Sequence, residues 1–167
     1  MPVNVFADLP AISSVHLSPA GKRFAVLYNK EDYSLLLGRE VDGKKMVPLL
    51  RTDNKKHRIR WVRWVNEDKL AISIVFPGRR YGIDTTETRL MKVSFKDQRF
   101  SPMVESKQRK QQGRGGNTEI EHTPQFQDDV IDWLPDEPNH LLLAADFDTP
   151  LSKGIYKINV EGGRRRV

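Results

Sequence analysis

The chain has no cysteine in 167 residues, which excludes a disulfide framework, a thiolate zinc site and a cysteine nucleophile together. No apolar run approaches the roughly 18 residues of a membrane span, and Met1 to Ala11 lacks the charged start and apolar centre of a signal peptide. No membrane partner is expected. Aromatic residues make up only 8 % of the chain, and 38 % hydrophobic against 30 % charged residues supports one modest core in one domain. Neither sign of charge dominates: 28 basic and 22 acidic residues leave +6, and the mixing of signs makes net charge a weak guide to partners.

Catalytic and ligand signatures are also missing. The four histidines, His16, His57, His122 and His140, do not show His-Glu-x-x-His or similar ligand spacing, and they read as structural or surface residues. Asp128, Asp129 and Asp132 lack the spacing of a calcium loop and read as solvated charges at a strand start. Gly113 to Gly116 does not satisfy Gly-x-Gly-x-x-Gly, and no P-loop occurs. The sequence therefore assigns no catalytic residue, no metal and no cofactor.

What is present is a series of short apolar runs bounded by Gly, Pro, Asp and Asn, the pattern of strands joined by turns. Arg23 to Tyr28, Leu70 to Phe76 and Leu141 to Phe147 are too short for typical helices. The only helix candidate is Pro2 to Ile12, where the prolines leave room for little more than two turns. The expected class is all-β.

The runs repeat. Leu17-Ser18-Pro19-Ala20-Gly21-Lys22, Trp64-Val65-Asn66-Glu67-Asp68-Lys69 and Trp133-Leu134-Pro135-Asp136-Glu137-Pro138 each join an apolar strand end to a turn and a second strand, with Pro19 and Gly21 as anchors of the first turn. Each unit closes alike, at Val41-Asp42-Gly43-Lys44, Phe95-Lys96-Asp97-Gln98 and Val160-Glu161-Gly162-Gly163, and Asp-Gly and Gly-Gly favour hairpin turns because glycine accepts positive φ. Four short strands in about 45 residues match one propeller blade. The expected fold is a single partial β-propeller domain, 1–167, of about three four-stranded antiparallel blades: blade 1 about 12–50, blade 2 about 58–104, blade 3 about 127–167. The polar, glycine-rich stretch at 105–126 reads as a mobile insertion. Trp64 and Trp133, at equivalent repeat positions, are expected to fill the wedges between blades. Trp61, three residues earlier than Trp64, should point to the opposite sheet face.

Phe6-Ala7-Asp8-Leu9-Pro10, the Leu17 to Lys22 turn, Trp64 to Leu70, and Trp133 to Pro138 followed by Ile155-Tyr156-Lys157-Ile158-Asn159-Val160-Glu161-Gly162-Gly163 resemble, in order, the propeller region of prolyl oligopeptidase-family (S9) serine peptidases of the dipeptidyl and acylaminoacyl peptidase type. Ala20 departs from the Asp or Asn usual in that turn, removing a side chain able to bond the backbone. The resemblance implies a propeller that restricts access to an α/β-hydrolase domain. That domain's Gly-x-Ser-x-Gly elbow is absent from these residues. The chain is therefore expected to be a non-catalytic piece of such a peptidase, with that domain and peptide substrates as its partners, a periplasmic or secreted location, and self-association through uncovered blade faces.

By strand reversal, the loop Pro77 to Gly82 and the insertion should share one face, which makes Arg79, Arg80, Tyr81 and Lys110 the candidate contacts with the peptidase domain or an acidic peptide end. The alternative is an independent propeller-like binding module that uses Lys55 to Arg63, Lys107 to Arg114 and Arg164 to Arg166 on nucleic acid or an acidic protein. From Arg58 to Val65, apolar Ile59, Trp61 and Val65 alternate with Arg58, Arg60 and Trp64, as in a strand packed on both faces. Nucleic acid is accordingly not the expected partner.

Overall fold

A computed structural model describes residues 10–104 and 122–167. Among these residues the chain is all-β, with twelve strands and no helix. They form three four-stranded antiparallel sheets, each a meander of sequence neighbours. The first sheet contains β1 (Ile12–Leu17), β2 (Arg23–Asn29), β3 (Tyr33–Glu40) and β4 (Val47–Asp53); the second contains β5 (Arg58–Trp64), β6 (Lys69–Arg80), β7 (Ile83–Ser94) and β8 (Phe100–Pro102); the third contains β9 (Asp129–Asp132), β10 (His140–Thr149), β11 (Ser152–Asn159) and β12 (Arg164–Arg166). Residues 2–9 of the expected short helix lie outside the described residues, and Ile12 opens β1 instead.

Alternation decides how the sheets stack. One face of the second sheet presents Val62, Trp64, Leu70 and Ile72 to Ala25, Leu36 and Leu49 of the first. Its other face presents Ala71 and Leu90, with Met103 just beyond β8, to Leu141, Leu143 and Ile158 of the third. Each fully buried aliphatic side chain contributes about 1.5–3 kcal/mol, whereas a surface ion pair contributes about 0–1 kcal/mol. The two apolar seams therefore dominate the stability.

The first two sheets repeat to the level of register. Ile12, Val15 and Leu17 pair with Tyr28, Val26 and Phe24, and Ile59, Val62 and Trp64 pair with Ile74, Ile72 and Leu70, with a shift in register after Ile12 and again after Ile59. Each of these β5 residues stands 47 positions after its β1 counterpart. The bulge overturns the simple alternation expected through Ile59, Trp61 and Val65: Ile59 packs toward the first sheet and Trp61 toward the third. An extra residue in one strand reverses the facing of everything beyond it.

Three more expectations change. Pro77 to Arg80 is strand rather than loop, because β6 and β7 continue as a two-stranded arm to a turn at Tyr81 and Gly82. With φ of 52° and 82°, these two residues adopt the primed geometry that matches strand twist. Pro77 is accommodated because β5 pairs with β6 only up to Val75, leaving no neighbour on that side to require its missing N–H. At Asp42-Gly43, Gly43 is not in the positive-φ region, and the loop closes by a 2.9 Å bond from its N–H to the Glu40 carbonyl. Residues 122–126 are not a mobile tail: Pro124 is buried, and the Thr88 N–H donates to the Gln125 carbonyl at 2.9 Å. Residues 105–121 of the expected insertion lie outside the described residues.

Candidate functional site

The β6–β7 arm carries three of the four candidate contact residues; Lys110 lies outside the described residues. Tyr81 is 99 % exposed at the turn. Arg79 is exposed beside it, its Nε donating to the Gly82 carbonyl at 3.2 Å. Arg80 is committed internally: it donates to both Glu87 carboxylate oxygens, at 3.0 and 3.2 Å, and to the Thr123 carbonyl at 3.0 Å. This last bond brings the residues that follow 105–121 back onto the arm. Arg89 donates to Glu87 from the other side at 2.6 Å. Burial alone would raise the Glu87 carboxyl, but bonds from Arg80 and Arg89, reinforced by their charges, hold it below its ordinary value. Gly78 leaves the space this carboxylate occupies, since a Cβ there would approach it within 2.6 Å.

Asp128 was expected to be a solvated charge; it is a buried hub between the second and third sheets. Its carboxylate accepts from Thr88 Oγ1 at 2.6 Å, Ser73 Oγ at 2.7 Å and Arg60 at 2.8 Å. Burial pushes its carboxyl up, but the two hydroxyl bonds and the Arg60 charge bring it below its ordinary value. Two hydroxyls and a guanidinium satisfy a charge that would be costly if left alone. Asp129, by contrast, is exposed and paired with Lys153 at 2.7 Å.

At the junction of the first and second sheets, the end beside Asn54 opens as a cleft of about 520 Å3 between the edge strands β1 and β5. Leu27, Ile59 and Val62 are among the apolar residues that line it. One polar wall is a side-chain cluster in which Ser34 Oγ lies 2.8 Å from Asn29 Oδ1 and 2.9 Å from Asn54 Oδ1. The amide groups of Asn29 and Asn54 are fixed by the Pro10 and Lys30 carbonyls, at 3.0 and 3.1 Å. His16 lines the cleft with its ring held below its ordinary pKa by burial and by the Arg63 charge. The Trp64 indole donates to the His16 carbonyl at 2.9 Å and ties β5 to β1. Arg58 and Arg60 border the cleft, but Arg58 shares its face with Val75 and Thr88, and Arg60 donates to Asp128, both on the side of the second sheet that meets the third.

The opposite end of this junction is sealed by Glu67, which accepts from Ser18 Oγ at 3.0 Å and from the Ala20 N–H. Ala20, lacking a polar side chain, is thus held through its backbone. Gly21 (φ 67°) closes the turn after the exposed Pro19. Trp64 is buried, while Trp133 is half-buried, edge-on to Trp61 at 5.8 Å and under the Arg63 guanidinium at 4.5 Å. Their counterpart Leu17 is 64 % exposed.

Many of the basic residues have internal partners. Lys55 pairs with Asp32 at 3.5 Å, Arg166 pairs with Asp148 at 3.3 Å and Arg164 lies over the Phe147 ring. The remaining histidines are engaged too: His122 contacts Asp146 at 2.8 Å, His140 lies 3.3 Å from Glu137 and His57 packs at a tilt against Phe76 with ring centroids 5.7 Å apart. Sequence reading missed Glu67, Glu87, Asp128 and the amide cluster, because each acts across sheets or along a hairpin rather than through a local motif. Comparison of the chain with protein-family profiles and with curated proteins finds no match.

Proposed function

We propose that this chain forms blades of a β-propeller belonging to a prolyl oligopeptidase-type serine peptidase, where it packs on an α/β-hydrolase domain and limits access to short or unfolded peptides. It carries no catalytic group of its own in this reading. One observation supports the propeller most directly. The outward side of the first sheet presents Leu17, Phe24, Val26 and Tyr28 at the register positions that Trp64, Leu70, Ile72 and Ile74 occupy in the second sheet, where they are buried against the first. A side built to pack on a preceding sheet is a ring's repeating seam. Ile12, Val15 and Leu17 on that side are 58 %, 59 % and 64 % exposed, which also favours self-association of the chain in isolation.

The peptidase assignment rests on the ordered resemblance from Phe6 to Gly163. Its test is the reading frame beyond Val167. The expected result is further four-strand units and a Gly-x-Ser-x-Gly elbow, in a product whose serine is labelled by a fluorophosphonate. A stop codon directly after Val167 overturns the assignment and favours the independent binding module.

A further inference from the structure

We infer that the outward sides of the first and third sheets are two halves of one further seam, completed by a second copy of this chain. The first sheet of each copy packs on the third sheet of the other, and the two identical contacts close a ring of six sheets. This rests on the propeller part of the reading above and not on its peptidase part.

Register carries the argument. Arg23 pairs with Glu40, Lys69 with Ser94 and His140 with Asn159, which puts these pairs at equivalent positions in the three sheets. Counted from them, Leu36, Leu90 and Ile155 are equivalent, on the side of each sheet that faces the following one. A following sheet covers Leu36 and Leu90, which are 0 % and 1 % exposed, whereas Ile155 is 45 % exposed. Val41, Phe95 and Val160 are equivalent on the opposite side. Phe95 and Val160 are buried against the preceding sheet, whereas Val41 is 44 % exposed. The first sheet thus offers Val15, Leu17 and Val41 where the third offers Leu142, Ala144 and Ile155, the two sides that meet at both existing seams.

Polar groups follow the same correspondence. At the seam between the second and third sheets, the Lys69 ammonium bonds to Glu161 and the Lys92 ammonium donates to the Val160 carbonyl at 2.6 Å. At the new seam, His140 and Lys157 hold the positions of Lys69 and Lys92, and Asp42 and Val41 those of Glu161 and Val160. A lysine again meets a backbone carbonyl, and a histidine meets a carboxylate. In the single chain Lys157 pairs with the partly exposed Glu137 at 2.5 Å, a contact of the kind that is readily exchanged.

Because the two sides differ, the contact is heterologous, and such contacts give a ring where they close and a filament where they do not. Propellers close at about four to eight sheets, and six is the multiple of three in that range, which fixes the assembly at two copies.

The experiment uses these 167 residues as they stand, since further units in a longer chain would fill the same two sides. Sedimentation equilibrium at about 50 μM, inside the range where uncovered apolar faces associate, should give twice the chain mass and no larger species. Leu17→Asp and Ile155→Asp alter side chains that are exposed in the single chain, so both variants should keep the parent's circular dichroism spectrum and urea midpoint. Each damages both contacts and should weaken the dimer about tenfold or more, as expected of an unpaired charge in an apolar contact. An equimolar mixture of the two variants should dimerise more tightly than either alone, because one contact then joins an unchanged first sheet to an unchanged third sheet. A monomer at that concentration, an open-ended series of larger species, loss of the dimer in Leu17→Asp but not in Ile155→Asp, or a mixture no tighter than its components would overturn the proposal. None of these readouts depends on a reactive serine, so failure of the seam is distinguishable from failure of the peptidase assignment.

Discussion

At the junction of the first and second sheets, the end beside Asn54 is an open cleft, whereas the matching end of the next junction is filled by Gln127 and Asp128. Connection length accounts for the difference. Four residues, 54–57, link β4 to β5, while 103–128 link β8 to β9. The longer connection has enough chain to return a segment over β7 and insert a carboxylate where the shorter one leaves space. The same repeating seam thus becomes a vacancy or a plug according to what the connecting chain supplies.

The most damaging change should be removal of the plug. Asp128→Ala leaves Ser73, Thr88 and Arg60 without their shared acceptor and should cost about 3–5 kcal/mol, measured by urea unfolding; an unchanged midpoint would show that the second junction does not depend on it. The tryptophans sharpen the same contrast. Trp64→Ala, at the buried first junction, should cost about 3–5 kcal/mol, and Trp133→Ala, at a half-exposed ring, about 1–3 kcal/mol. Equal losses would mean that the two seams are energetically alike.

Acid titration probes the plug without mutation. The Asp128 and Glu87 carboxyls are both held below their ordinary values. Each therefore adds stability above about pH 4, where the unfolded chain's carboxyls are ionised, and that stability is lost as pH falls through the lowered folded-state value. Urea midpoints should be level near neutrality and drop in acid, and Asp128→Asn should flatten the drop. A drop of the same size in the variant would remove Asp128 from this account. The smallest effect belongs to the arm: Tyr81→Ala and Arg79→Ala should each stay within about 0.5 kcal/mol of the parent, because neither side chain packs on either junction.

The strands, their grouping in fours and the opposed facing of Trp61 and Trp64 were all legible, because side-chain period and turn residues are local properties. The bulge after Ile59 was not, since an extra residue becomes visible only when Trp61 is seen opposite Ser73. Pro77-Gly78 resembled a loop because these residues usually break strands; an edge position and the Glu87 carboxylate beneath Gly78 reverse that meaning. Asp128 resembled its exposed neighbour Asp129, and only the segment returning across β7 separates them. The cleft is the least legible feature. Asn29, Ser34 and Asn54 share no motif and meet across three strands of the first sheet, and the space they border closes against Ile59 and Val62 only when the second sheet docks.

The meander connectivity of each sheet also orders assembly in time. Every strand pairs with a neighbour in sequence, and such hairpins close in about 1–10 μs with little loop entropy to overcome. The contacts that weld one sheet to the next span much more chain: Ser18 to Glu67 is separated by 49 residues and Ser73 to Asp128 by 55. Individual sheets should therefore form early and dock late, with the β6–β7 arm as the natural first nucleus and the Asp128 carboxylate among the last groups to leave water.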